Sequence, residues 1–338
     1  MILVFAQCEK HYAPIKITAE NFHNAQNQLT AVMVHDIFSP PLASRVYAYA
    51  NIAAYEIMAQ EAGNDHASLA GILSGFDGVS PINDSLVNPK LAGLMAYMAV
   101  GKNLIFSVDR MSEYMDNLSL KWKAQNPEVF EASQRYAHQV VSEIKAWYDQ
   151  DNYKQTRTYP KFSVDYDSPS RWQPTPPDYM DGIEPHWSKI RPFVLNSASQ
   201  FQPEPPPSFS MEPESDFYKE LMEVYRVVKE IQENDAEEER REIAKFWDCN
   251  PYVSTHKGHV MFALKKISPG AHWIGITKIV SRNKNTDVST TVAAYTKVSI
   301  AIADAFISCW DEKYRSNLIR PETIINKVLD ENWYPVLQ

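Results

Sequence analysis

The sequence predicts an all-α protein, and three observations carry that reading. Apolar residues recur at helical spacing in stretch after stretch, as in Phe22, Leu29, Val32, Met33 and Ile37. Proline stands where a first helical turn tolerates it, at Pro40 behind a capping Ser39 and again at Pro127. The longest apolar run, Val292–Trp310, carries Lys297 and Asp304 inside it. Those charges make it a buried core helix rather than a membrane span, although its length approaches the roughly 20 residues a span needs.

Taken in order, residues 1–20 lack periodicity and read as a terminal arm or the remnant of an export signal. Ile2–Cys8 is apolar but too short, and lacks the basic flank, to stand as a signal alone. A helix is expected over Asn21–Phe38. A second follows from Pro40, with Ala43, Val46, Tyr47, Ala50, Ala53, Ala54, Ile57 and Met58 on its inner face and Gly63 closing it. Helices are expected over His66–Phe76, Pro89–Phe106, Ser107–Lys123 and Pro127–Asp149, the first two packed inside and the last pair more polar. Together residues 21–150 form an N-terminal helical half.

Residues 151–212 change character. They hold a dense share of the 22 prolines with aromatic residues between them, among them Tyr159, Tyr166, Trp172, Tyr179, Trp187 and Phe193. Proline blocks both helix and central strand, so this reads as an ordered irregular excursion wrapping the helical body. Helix is expected again from Pro213 to Asp248, then a segment Gly258–Ile267 broken by Pro269-Gly270 before Trp273–Val280. A last long helix runs from Asp287 to about Ile319, and Pro321-Glu322-Thr323 starts another. Residues 213–338 are the C-terminal helical half.

Composition bounds the function. With 338 residues, 44% of them hydrophobic, the chain can bury a large core in one domain or two. A net charge of −9 argues against a nucleic-acid partner. Three cysteines, Cys8, Cys249 and Cys309, form neither a disulfide framework nor a zinc module, and the latter two read as small buried residues. No metal site is expected: His256 and His259 lack a third ligand, and Glu237–Glu239 point around a helix. His35-Asp36 has no group to orient it into a catalytic pair.

The chemistry gathers at Trp310-Asp311-Glu312-Lys313-Tyr314-Arg315-Ser316-Asn317-Leu318-Ile319-Arg320-Pro321. On a helix, Trp310, Lys313, Asn317 and Arg320 share one stripe. A guanidinium fork and a compact ammonium suit a tetrahedral oxyanion. Arg320 is expected at a junction between helices, beside unpaired backbone amides.

Lys313-(six residues)-Arg320-Pro321 resembles the first signature of the type 2 phosphatidic acid phosphatase superfamily, which includes acid phosphatases and vanadium-dependent haloperoxidases. Trp310, three residues before the lysine, is similar to the haloperoxidase branch. So are Ser39-Pro40-Pro41-Leu42-Ala43-Ser44-Arg45, Trp172-Gln173-Pro174-Thr175-Pro176-Pro177, Phe246-Trp247-Asp248 and Gly270-Ala271-His272-Trp273. The resemblance implies a helical bundle with an anion pocket in its core, binding phosphate or vanadate through Lys313 and Arg320 with Trp310 and Asn317 lining the pocket. It implies a phosphoric monoester hydrolase or a haloperoxidase with vanadate as cofactor, and it favours a periplasmic or secreted protein.

The family's Pro-Ser-Gly-His and Ser-Arg-(several residues)-His signatures do not occur in the sequence, and Ser281-Arg282 and Thr255–His259 do not replace them. The expectation is therefore a bundle incomplete at its C-terminus, with no complete catalytic set. The alternative is a non-catalytic helical scaffold or a fragment completed by another chain. An uncovered helix face would then favour self-association.

Overall fold

Helices begin at Pro40, Pro89, Pro127 and Pro321, where proline leads the first turn. A computed structural model describes residues 12–61, 63, 65–234, 237–248, 250, 252–257 and 260–337. It divides into two compact units, one of residues 1–36, 45–148 and 273–299, the other of residues 37–44, 149–272 and 300–338.

The first unit holds α1 (Ala19–His35), most of α2 (Pro40–Met58), α3 (Pro89–Asn103), α4 (Val108–Gln125), α5 (Pro127–Tyr148), most of α9 (Pro269–Lys284) and the first part of α10 (Val288–Ser316). Its centre is α3, where Leu91–Met98, Val100 and Gly101 are all buried. The two glycines of α3 let neighbours come close: a Cβ on Gly93 would stand 3.2 Å from the Ala54 carbonyl oxygen, and one on Gly101 3.0 Å from Leu29. Polar groups inside this unit are matched to each other. Tyr97 donates to Gln26 at 2.7 Å, Gln26 to Asn51 at 2.5 Å, and Asn51 to the Tyr47 carbonyl at 2.9 Å. Such a network leaves few donors for a ligand.

The helix expected over His66–Phe76 does not form. Glu56, buried on α2, instead takes hydrogen bonds from the Ser68 hydroxyl and the Leu69 amide, both at 2.7 Å. Gly71 and Gly75 adopt left-handed φ of 71° and 63°, closing a turn in which the Gly71 amide donates to the Phe76 carbonyl at 2.9 Å. Burial raises the pKa of Glu56, and those two bonds oppose the rise. Asp36 likewise acts structurally, accepting from the Phe106 and Ser107 amides at 3.2 and 2.9 Å where α4 begins.

The second unit contains α6 (Tyr153–Thr156), a 3-10 turn at Trp187–Lys189, α7 (Asp216–Glu233), α8 (Glu238–Phe246), a hairpin of β1 (Tyr252–Lys257) and β2 (Val260–Lys265), α11 (Pro321–Val328) and the end of α10. The helix expected over Pro213–Asp248 is thus two helices, broken at Asn234, whose φ of −123° and ψ of 113° are extended. The hairpin is antiparallel with Lys257 opposite Val260, a strand pair in an otherwise helical fold. Pro269, expected to break a segment, is the first residue of α9, a position where its missing donor costs nothing. One apolar cluster joins Phe217 and Leu221 of α7 to Ile319, Ile324, Ile325 and Trp333 around α11.

The Pro-rich excursion is irregular but tied down. Buried Asp304 of α10 accepts three backbone amides from it, Phe193 and Val194 at 2.7 Å and Leu195 at 3.1 Å. That explains a charge inside the most apolar helix. By length and composition α10 could cross a membrane. Its residues Val292, Tyr295, Ala303 and Ile307 are nevertheless buried in protein.

Candidate anion site

Helix α10 ends at Ser316 because Asn317 turns left-handed, with φ of 43°, a conformation asparagine accepts more readily than most residues. The chain then runs extended to Arg320, which caps α11 with φ of −75° and ψ of 145°, and Pro321 is the first helical residue. This junction brings Trp310, Lys313, Asn317 and Arg320 to the wall of one cavity of about 870 Å³ within the second unit.

The excursion builds the facing wall. The Trp172 amide donates to the Asn317 carbonyl at 3.1 Å and the Ile319 amide to the Ser170 carbonyl at 2.9 Å, satisfying groups that the end of α10 leaves unpaired. One carbonyl, that of Ile183, accepts both Trp310 Nε1 at 2.9 Å and the Tyr314 hydroxyl at 2.7 Å. The backbone can come this near because residue 182 is glycine: a Cβ there would lie 2.8 Å from the Tyr314 hydroxyl. Thr175 accepts from Arg320 Nη1 at 2.9 Å.

Two cations face this cavity with little to neutralise them. Lys313 Nζ stands 4.8 Å from the centroid of the Trp310 ring, a cation–π contact. Its side chain is exposed to the open cavity, yet the concave wall surrounds it with protein, so desolvation lowers its pKa and the Arg320 charge lowers it further. Four nearby carboxylates pair with other cations. Asp311 and Glu312 pair with Arg315, Asp248 with Lys266, and Asp181 with Lys161. Among the described residues, Lys313 and Arg320 have no carboxylate within ion-pair distance. An anion of two or more oxygens would supply the missing charge.

The remaining candidates fall away from this site. Among the described residues no three His, Cys, Asp or Glu side chains come together as a metal site. Cys309, expected to be buried, is exposed and lines the cavity, with its thiol pKa pushed up by desolvation. Cys8, Cys249 and His259 lie outside the described residues. Arg282 pairs with Glu20, and Arg240 and Arg241 pair with Glu237 and Glu238. No histidine is among the described residues lining the cavity. Thr175, Gly182, Ile183 and Tyr314 escaped the sequence reading. Tyr314 was within reach, four residues beyond Trp310 on the same stripe, whereas the other three act from distant sequence.

No protein-family model matches the chain, and no curated protein is similar to it. Among solved structures it is similar to one described as the first bacterial vanadium-dependent iodoperoxidase, with 54% identity and a TM-score of 0.92, covering 97% of this chain and 77% of that one. Apo and holo forms of a bacterial vanadium-dependent chloroperoxidase give TM-scores of 0.53 and 0.60 at 16% and 17% identity. They cover 86% and 94% of this chain and 66% and 71% of theirs. At those identities the chloroperoxidases speak to the fold alone.

Proposed function

The chain belongs to the vanadium-dependent haloperoxidase family, and from that premise we propose that Lys313 and Arg320 hold a vanadate anion in the cavity of the second unit. The observation that carries the proposal is the pair of cations sharing one wall with no carboxylate among the described residues within ion-pair distance, and burial and the neighbouring cation lowering the Lys313 pKa. Vanadate fits that donor set in charge and in shape. Phosphate, of the same shape, competes for the same place.

Bound vanadate supplies an electrophilic centre at which peroxide is activated toward halide. The residues here do the holding. Arg320 would offer the anion a planar set of donors and Lys313 a point charge, while the Trp310 face lies 4.8 Å from the ammonium as a cation–π contact. Apolar walls from Phe162, Trp172, Met180 and Phe306 lower the local dielectric, which strengthens each contact. Neither a Pro-Ser-Gly-His signature in the sequence nor a histidine in the described lining is available to ligate the anion or move a proton. The 338-residue chain is accordingly expected to bind vanadate with negligible halide oxidation or phosphoester hydrolysis.

Calorimetric titration with orthovanadate tests this. Saturable binding that phosphate displaces and that weakens at least tenfold in Arg320→Ala is expected. Binding unchanged in Arg320→Ala would overturn the proposal, and a clear turnover above that control would overturn the expectation of negligible activity.

A further inference from the structure

We propose that Thr175 is a positioning residue that presets the Arg320 guanidinium for its anion; this rests on the reading that Lys313 and Arg320 hold vanadate. Thr175 belongs to Trp172-Gln173-Pro174-Thr175-Pro176-Pro177, a stretch that lines the cavity with Trp172, Pro176 and Pro177. Three contacts clamp that stretch, together with Ser170 just before it, to the chain on either side of Arg320. The Trp172 amide reaches the Asn317 carbonyl at 3.1 Å, the Ile319 amide reaches the Ser170 carbonyl at 2.9 Å, and Lys327 Nζ reaches Gln173 Oε1 at 3.1 Å. On this frame the Thr175 hydroxyl takes a hydrogen bond from Arg320 Nη1 at 2.9 Å.

The choice of a hydroxyl matters. Arg320 is an exposed side chain at a helix start, free in principle to sweep through many rotamers. A carboxylate in place of Thr175 would fix it but would also cancel the charge that the anion needs. A neutral acceptor fixes it and leaves the charge intact, and it occupies one of five donors, so the rest of the fork stays available. Glu322, an acidic residue coupled electrostatically to Arg320, fits the same logic. Burial raises its pKa, while Arg320 and the Thr175 hydroxyl pull it down. It forms no direct ion pair with Arg320 among the described residues. Because Arg320 can only donate to Thr175, the hydroxyl proton stays free to point at Glu322 or at a bound oxygen. Ordering the arginine beforehand removes rotamer freedom that binding would otherwise have to freeze.

The test is orthovanadate titration of the full 338-residue chain as wild type, Thr175→Val, Thr175→Ser, Arg320→Lys and the Thr175→Val/Arg320→Lys double variant, with unfolding midpoints measured alongside. Loss of one hydrogen bond predicts a Kd about fivefold weaker in T175V, near-complete rescue in T175S, and no further loss when T175V is added to R320K. A T175V Kd equal to wild type, a T175S as weak as T175V, or an equal loss in the R320K background would overturn the inference. If T175V does not fold, the comparison of T175S with T175A decides it in the same way. A wild type that binds no vanadate contradicts the underlying reading as well, so the two failures are told apart.

Discussion

Helix α10 carries two charges that the protein treats in opposite ways. Asp304 is buried and answered completely, with both carboxylate oxygens accepting amides from residues 193–195. Lys313, nine residues on, meets an indole face, a second cation and open cavity. The same helix therefore shows what this fold does with a charge it uses for structure, and what it does with one left for something else. A buried charge without a partner costs several kcal/mol; three amides spare Asp304 that cost and fasten the excursion down, whereas on the proposed reading Lys313 is answered by an anion.

Substitutions can break this contrast. Asp304→Ala should have the largest effect, destabilising the protein by about 3 kcal/mol, since three backbone donors, one buried and two part-buried, lose a charged acceptor. A urea midpoint unchanged in D304A would remove the structural half of the comparison. Gly182→Ala comes next, because its Cβ would meet the Tyr314 hydroxyl at 2.8 Å. The expected cost is about 1–2 kcal/mol, with the Tyr314 bond to Ile183 displaced. Trp310→Phe keeps an aromatic face beneath Lys313 but loses the Nε1 bond to Ile183, at a cost of about 1 kcal/mol and a modest weakening of vanadate binding.

Part of this was legible from sequence and part was not. The grouping of Trp310, Lys313, Asn317 and Arg320 is legible because it is local, but not as the expected helical stripe: α10 ends at Ser316, and the left-handed turn at Asn317 and the extended run to Pro321 bring the last two to the same cavity wall. The role of Asp304 was invisible, since its amide partners lie about 110 residues away and backbone donors leave no mark in side-chain identity. For the same reason Gly182 and Thr175 read only as members of a Pro-rich segment. The absent helix at His66–Phe76 was an error of weighting. Apolar content suggested a helix, but Gly71, Gly75 and Gly78 in eight residues allow left-handed backbone, and Glu56 rewards the turn. The hairpin carried a signal of its own, two strand-like runs separated by Gly258-His259, which the helical expectation overrode.

The smallest effect is a pH dependence. Lys313 has a folded-state pKa below the ordinary lysine value, so between those two values the unfolded chain binds more protons. Stability should rise as pH climbs through that window. Vanadate affinity should fall over the same range as the ammonium is lost. A Lys313→Met variant should lack both trends in paired urea and binding titrations.

That variant also provides the most direct test of the central claim, through its unfolding midpoint at neutral pH with no oxyanion added. If Lys313 is a charge the protein leaves unanswered, Met, of similar volume and without charge, should unfold at the same urea concentration as wild type or higher, and added vanadate should raise the midpoint of wild type alone. A K313M protein that is clearly less stable than wild type in the absence of any anion would mean the lysine is held by the protein itself, and the account would fail.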